Sequence, residues 1–272
     1  MFVTDQFVVL HLPKTGSTFI RETLKQLYLN NSNIFNEFLY KFRVKKRPYK
    51  ELLFQKVEMN ELYAPMVRNR FTPHGIYYQI PKEHKNKAVV SVVRNPFERL
   101  VSFYEFKSWS SFHPKPVLDE IYKKWPKFPE LSFSEFFDFY FQFGATSFCY
   151  EQKCKSDIGP QTKQFFWFFM RDPFQEIPKV NDKYILEKRY KKALANIHFL
   201  KTENLNNDLY QLLLDHGVSE KKVKFVLQVH KINQTKKTNS IRDYFTNDQI
   251  EQVLHKERVL FDLFPEFKFD FE

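Results

Sequence analysis

Two short stretches of the 272-residue chain gather the residue types that grip anions. The first is His11-Leu12-Pro13-Lys14-Thr15-Gly16-Ser17-Thr18. It offers an ammonium at Lys14 and hydroxyls at Thr15, Ser17 and Thr18. At Gly16 it offers a position with no side chain, where backbone can come close to a bound group. The second runs from Val92 to Tyr104 and contains Arg94, Asn95, Pro96 and Ser102. A guanidinium presents forked donors that match phosphate oxygens, and a serine hydroxyl two helical turns further on can complete the set. The chemistry implied is the holding of phosphate-like groups at two points. Each stretch also has a plainer reading: a Ser/Thr-capped turn for the first, a salt-bridging arginine for the second. The first stretch is not a Walker A loop, which needs Gly, four residues and then Gly-Lys-Ser/Thr. Here Lys14 precedes the lone glycine, which disfavours an enzyme built on Mg²⁺ and a nucleoside triphosphate.

Both stretches need particular elements around them. Phe7 to Leu12 is a short apolar run suited to a buried parallel strand, and Phe19, Ile20, Leu24 and Leu27 recur at helical spacing from Ser17 onward. A turn between such a strand and helix aims backbone N–H groups and the positive end of the helix dipole at one point. Ala88 to Val93 reads as a second buried strand. Pro96 suits the first turn of the helix that follows, where no backbone N–H is missed. Ile197 to Lys201 reads as a third strand, with a helix over 204–216 behind it. Ser132 with Glu135 and Thr246 with Gln249 have capping-box spacing, the latter opening a final helix to about Phe264. The Pro-containing segment 108–129 reads as a long loop. Alternating strands and helices predict an α/β fold, a single domain over 1–272 with a central parallel sheet flanked by helices. The phenylalanine-rich runs 133–143 and 165–169 read as core.

Composition narrows the class. The chain carries 43 Lys+Arg against 32 Asp+Glu, a net charge of +11, which draws anionic partners without naming one. Basic residues cluster at Lys41, Arg43, Lys45, Lys46, Arg47, Lys50 and Lys56, and again at Lys221, Lys222, Lys224, Lys231, Lys236 and Lys237. Neither cluster has a zinc-finger spacing or the aromatic signature of an RNA-recognition module, so no nucleic acid partner is expected. With 43% hydrophobic residues and 5 Gly, the chain is neither collagenous nor generally disordered. No apolar run is long enough for a membrane span. Cys149 and Cys154 make no disulfide framework; they could pair across a short loop, and two ordinary thiols are the plainer reading. No His, Cys or Asp group has zinc spacing, so no metal is expected.

Taken together, PKTGST after the first strand and VRNPFERLVSFY after a later one resemble the two cofactor motifs of sulfotransferases that use 3′-phosphoadenosine 5′-phosphosulfate (PAPS). The likeness is nearest the carbohydrate-directed branch, which includes the heparan-sulfate 2-O and chondroitin enzymes. It implies a P-loop-NTPase-like sulfotransferase fold. It further implies that Lys14, Thr15, Gly16, Ser17 and Thr18 hold the 5′-phosphosulfate, while Arg94 and Ser102 hold the 3′-phosphate. The segment 199–205 resembles the family's late strand and acidic turn, and 230–237 its basic closing loop.

On that resemblance the chain moves a sulfuryl group from PAPS to a hydroxyl, leaving 3′-phosphoadenosine 5′-phosphate. The acceptor expected is a saccharide, and an acidic one suits the positive charge. Lys14 is the expected cation at the departing phosphate oxygen. His74, in Thr72-Pro73-His74-Gly75, is the expected base, because imidazole titrates near neutrality. In the 2-O branch the catalytic histidine follows a glycine, whereas His74 precedes Gly75. A turn histidine bonded to backbone is the plainer alternative. His84, Glu58 and Glu61 are further candidates, and His11 reads as structural. Two other classes remain: a nucleotide or small-molecule kinase on a related scaffold, and a non-catalytic module for acidic glycans. If Met1 is the natural start, a cytoplasmic enzyme of bacterial or viral type is expected; the alternative is a trimmed lumenal domain.

Overall fold

The computed structural model describes residues 1–29, 48–55, 71–110, 115–144, 154–230 and 240–268. In chain order its main elements are β1 (Phe2–Thr4), β2 (Phe7–Leu10), α1 (Ser17–Leu29), β3 (Tyr49–Glu51), β4 (Ala88–Val93) and α2 (Pro96–Phe106). They continue with α3 (Lys115–Lys124), α4 (Phe133–Phe143), α5 (Pro160–Phe169), β5 (His198–Lys201), α6 (Leu205–Asp215), α7 (Asn247–Lys256) and α8 (Arg258–Leu263). The chain gathers into two compact units. One is Met1–Phe54, Thr72–Arg94 and Asn196–Gln234; the other is Gln55–Phe71, Asn95–Ala195 and Thr235–Glu272.

The first unit holds the five-stranded sheet, in the order β3-β1-β2-β4-β5. β2, β4 and β5 run parallel, while β1 pairs antiparallel with both β2 and β3. The expected parallel sheet is therefore a parallel trio with an antiparallel margin. That margin comes from Phe2–Thr4 and Tyr49–Glu51, which are too short to stand out as strands in the sequence. Alternate residues Phe7, Val9, Val90, Val92 and Leu200 share a core with Phe19, Ile20, Leu24 and Leu27 of α1 and with Leu209, Leu212 and Leu213 of α6. The intervening Val8, Leu10, Val89, Ser91 and Val93 are buried too. Burial on both faces explains why these strands read as unbroken apolar runs rather than alternating ones.

The second unit is built on rings. Trp109 lies 5.0 Å from Phe136 and Phe133 lies 4.9 Å from Phe245, in tilted and edge-on arrangements that suit the aromatic quadrupole. Both capping boxes form: Ser132 Oγ accepts from the Glu135 N–H while Glu135 accepts from the Ser132 N–H, and Thr246 with Gln249 does the same. Two expectations fail here. The segment 108–129 is not a long loop, since it contains α3, whose Val117 and Ile121 are buried one turn apart in the same core as Trp125. Pro116 sits in the first turn of α3, where it breaks nothing. Nor is the last helix continuous to Phe264: it breaks at Glu257 between α7 and α8.

Glu257 explains that break. Its fully buried carboxylate accepts from the N–H groups of Gln161 and Thr162 (3.1 and 2.7 Å) and from the Thr162 hydroxyl (2.7 Å), so it caps the N-terminus of α5. Burial pushes its carboxyl upward, and the three donors together with the charge of Arg99 oppose that. Arg99 is itself buried, hydrogen-bonded to Gln164 and 5.2 Å from the Phe103 ring, rather than at the surface as its charge suggests. Among the described residues the free thiol of Cys154 lies near the carbonyls of Ser156 and Val180; Cys149 falls outside them. Glu257→Ala leaves those donors without their acceptor and should lower the unfolding free energy by roughly 3 kcal/mol. Gly159→Ala, whose new methyl would overlap the same carboxylate, should act in the same direction. Urea titration measures both, and an unchanged midpoint in Glu257→Ala would remove the carboxylate from this role.

Candidate functional site

Parallel pairing puts the carboxyl ends of β2, β4 and β5 along one edge of the sheet, where open α/β sheets bind ligands. Register sets the detail. Val93 pairs with Lys201, so Arg94 and Thr202 leave the sheet at the same level on neighbouring strands. Leu10 pairs with Ser91, so the loop that follows β2 climbs past the end of β4 as it runs toward Lys14.

That loop is a tight turn into α1. Lys14 has φ 64° and Gly16 φ 88°, both left-handed. For lysine this conformation is strained and holds only where its surroundings impose it. Thr15 is fully buried, and its hydroxyl donates to the Leu12 carbonyl at 2.9 Å. The Thr15 hydroxyl therefore closes the turn, and what this residue can offer a ligand lies in its backbone. At Gly16 a Cβ would meet Leu205 Cδ2 at 3.0 Å, so close packing and positive φ both require glycine there. Helix α1 begins at Ser17, which is buried, and Thr18 is exposed. The N–H groups of a helix's first turn have no intrahelical acceptor and carry its positive pole.

Lys14 is depressed from its ordinary value near 10.5 to about 8, first by burial and then by the charge of Arg94. Two cations from separate motifs thus stand close enough for one to act on the other, beside a helix N-terminus. Such a cluster stores repulsion that an anion relieves. Ser102 lies on α2, partly buried, in the second unit. Asn95 caps α2 by accepting from the Phe97 N–H at 3.0 Å, with Pro96 in the first turn.

His74 Nδ1 lies 2.6 Å from the His11 carbonyl oxygen. A carbonyl only accepts, so Nδ1 carries the proton, and in the neutral ring Nε2 carries the lone pair. The imidazole is thereby tied to backbone three residues before Lys14. At Gly75 a Cβ would meet the Phe54 ring at 2.6 Å, which fixes glycine next to this histidine. His11 is buried, and burial, then the Met1 amine and then His74 push it well below the ordinary range, so it stays neutral. His84 sits in a single 3-10 turn, Lys82–His84; Glu58 and Glu61 lie outside the described residues.

Thr202 is the residue that motif spacing did not single out. It is the first residue after β5, and its hydroxyl lies 2.8 Å from the Thr15 carbonyl oxygen and 3.0 Å from that of Val93. The only sequence signal for it was its place in the segment 199–205. Among the described residues no group of three His, Cys, Asp or Glu is placed to hold a metal ion, and no helix is long and apolar enough to cross a membrane.

Comparison with protein families gives a match to the sulfotransferase domain over residues 4–255, which takes in the Lys14 turn, His74, Arg94 and Thr202. The fold accords with that match: an α/β chain whose central sheet presents its loops along the carboxyl edge of three parallel strands. The chain belongs to the sulfotransferase family and is an enzyme of sulfuryl transfer to a hydroxyl-bearing acceptor.

Proposed function

We propose that the donor is PAPS and the acceptor a carbohydrate hydroxyl. The observation that carries the donor assignment is the nearness of Arg94 to Lys14, a half-buried amine lowered first by its burial and then by the guanidinium's charge. A compound bearing a 5′-phosphosulfate and a 3′-phosphate neutralises both at once. The residue types fit the two ends. Lys14, the first-turn backbone of α1 and the hydroxyls of Ser17 and Thr18 suit the phosphosulfate, with Thr15 and Gly16 shaping the turn. Arg94 suits the 3′-phosphate, with Ser102 on α2 as its proposed hydroxyl partner. The family match runs through segments of both compact units, which supports one catalytic domain over 1–272.

PAPS supplies an activated sulfuryl group. Lys14 holds positive charge where the departing phosphate oxygen becomes anionic, a role of charge stabilisation and positioning rather than covalent chemistry. His74 takes the acceptor hydroxyl's proton on Nε2, because the His11 carbonyl keeps Nδ1 protonated and fixes the ring. A saccharide acceptor, particularly an acidic one, agrees with the net charge of +11 and with exposed Lys50, Lys221, Lys222 and Lys224. The remaining members of the two basic clusters, from Lys41 to Arg47, Lys56, Lys231, Lys236 and Lys237, lie outside the described residues, as does most of the segment 230–237.

Incubation with labelled PAPS and a panel of neutral and acidic polysaccharides and small alcohols should carry label to a saccharide. Label on small alcohols alone would overturn the acceptor assignment, and no transfer to any of them would overturn the donor. Lys14→Ala and Arg94→Ala should each abolish transfer, with Arg94→Ala also losing the thermal stabilisation given by 3′-phosphoadenosine 5′-phosphate. His74→Ala should lower turnover by about 10²-fold or more while nucleotide binding persists. Near-normal turnover would dismiss His74 as the base.

Lys14 also makes nucleotide binding depend on pH in a defined direction. The anion needs the protonated amine, and the free protein gives that proton up around pH 8. Affinity for 3′-phosphoadenosine 5′-phosphate should thus be about tenfold weaker at pH 9 than at pH 7. Calorimetry across that range checks the slope. In Lys14→Arg, whose guanidinium stays charged, the fall should vanish; a flat profile in the wild-type protein would contradict the assignment.

A further inference from the structure

We propose that Thr202 is a positioning residue: its hydroxyl ties the Lys14 turn to the end of β4 and so sets the separation of the two anion-binding cations. The bond geometry carries this. The hydroxyl has one hydrogen and two carbonyl acceptors, Thr15 at 2.8 Å and Val93 at 3.0 Å. Thr15 follows Lys14 directly, and Val93 directly precedes Arg94. A single side chain therefore fastens the backbone of both motifs one residue from each cation.

The surroundings restrict Thr202 to that task. It leaves the sheet level with Arg94, because Lys201 pairs with Val93. Its methyl and hydroxyl both lie within 4 Å of the point where a Cβ on Gly16 would stand, so the side chain sits against the left-handed part of the turn. The following turn is itself anchored, with Asp208 accepting from the Lys201 N–H at 2.8 Å. Each cation alone needs no such tie to meet one phosphate. A ligand with two anionic groups on a fixed scaffold does, since its advantage over a single group depends on both contacts forming together.

The inference rests on the proposal that one nucleotide spans both cations, and the test separates the two. Thr202→Val keeps shape and removes the hydroxyl, while Thr202→Ser keeps the hydroxyl and removes the methyl. Calorimetry on the full chain would compare 3′-phosphoadenosine 5′-phosphate with adenosine 5′-monophosphate and adenosine 3′-monophosphate. In the wild-type protein the bisphosphate should bind more tightly than either monophosphate. In Thr202→Val the bisphosphate should weaken about tenfold with the monophosphates nearly unchanged, and Thr202→Ser should restore most of the difference. If the wild-type protein shows no preference for the bisphosphate, the spanning nucleotide itself is overturned. If the preference exists and Thr202→Val retains it, or if Thr202→Val weakens all three ligands alike along with thermal stability, Thr202 is structural only and the inference falls.

Discussion

The constraint on the carboxyl edge of the sheet is that it holds the Lys14 amine half-buried and within reach of the Arg94 charge. Burial first, and the neighbouring charge of Arg94 second, lower the Lys14 amine from 10.5 to about 8. The restraint comes from strand register, from buried parallel strands on which that register cannot slip, and from loop bonds that reach across strands. A one-residue slip of β4 would turn Val90 and Val92 out of the core they share with α1 and α6, so the position of Arg94 inherits the stability of that core.

The strained conformation of Lys14 follows the same logic. A lysine at φ 64° persists only where its neighbours leave no alternative. On one side the Thr15 hydroxyl closes the turn onto Leu12, and on the other Gly16 accepts a second left-handed angle against Leu205. Three consecutive residues thus share the cost of one tight reversal. The reward is that the helix pole, the ammonium and the backbone of the turn meet in a preformed arrangement, so binding needs little reorganisation.

Much of this frame was legible in the sequence, for reasons that can be named. Ala88–Val93 is an apolar run ahead of Pro96 and Ser17–Leu29 carries apolar residues at helical spacing, and both elements stand where that patterning puts them. The capping boxes at Ser132 and Thr246 were readable because three-residue spacing is local chemistry. What escaped was set by distant partners. Helix α3 was hidden by prolines on either side, its amphipathic face brief. The break at Glu257 depends on a helix start almost a hundred residues earlier. Within the site, residue types marked Lys14, Arg94 and His74, but a threonine between a lysine and a glutamate carries no local sign that its hydroxyl bridges the turn after β2 and the last residue of β4.

The histidine shows how backbone can settle a question of side-chain chemistry. An imidazole in a turn could be base, acid or mere filler, and its neighbours Pro73 and Gly75 do not decide among these. The His11 carbonyl settles the tautomer: accepting at 2.6 Å, it is satisfied by a protonated Nδ1, a bond that a structural turn histidine and a base on Nε2 would share. The same contact stabilises the imidazolium that forms if Nε2 takes a proton, since Nδ1–H then faces an oxygen that strengthens its pull. His11 is withheld from competing, because burial and the charges around it keep its own ring neutral. One strand end therefore sets the tautomer of His74 and, three residues on, the turn that carries Lys14. On the proposed roles, proton acceptance and charge stabilisation would share one strand end, an arrangement that suits a transfer reaction with little covalent chemistry.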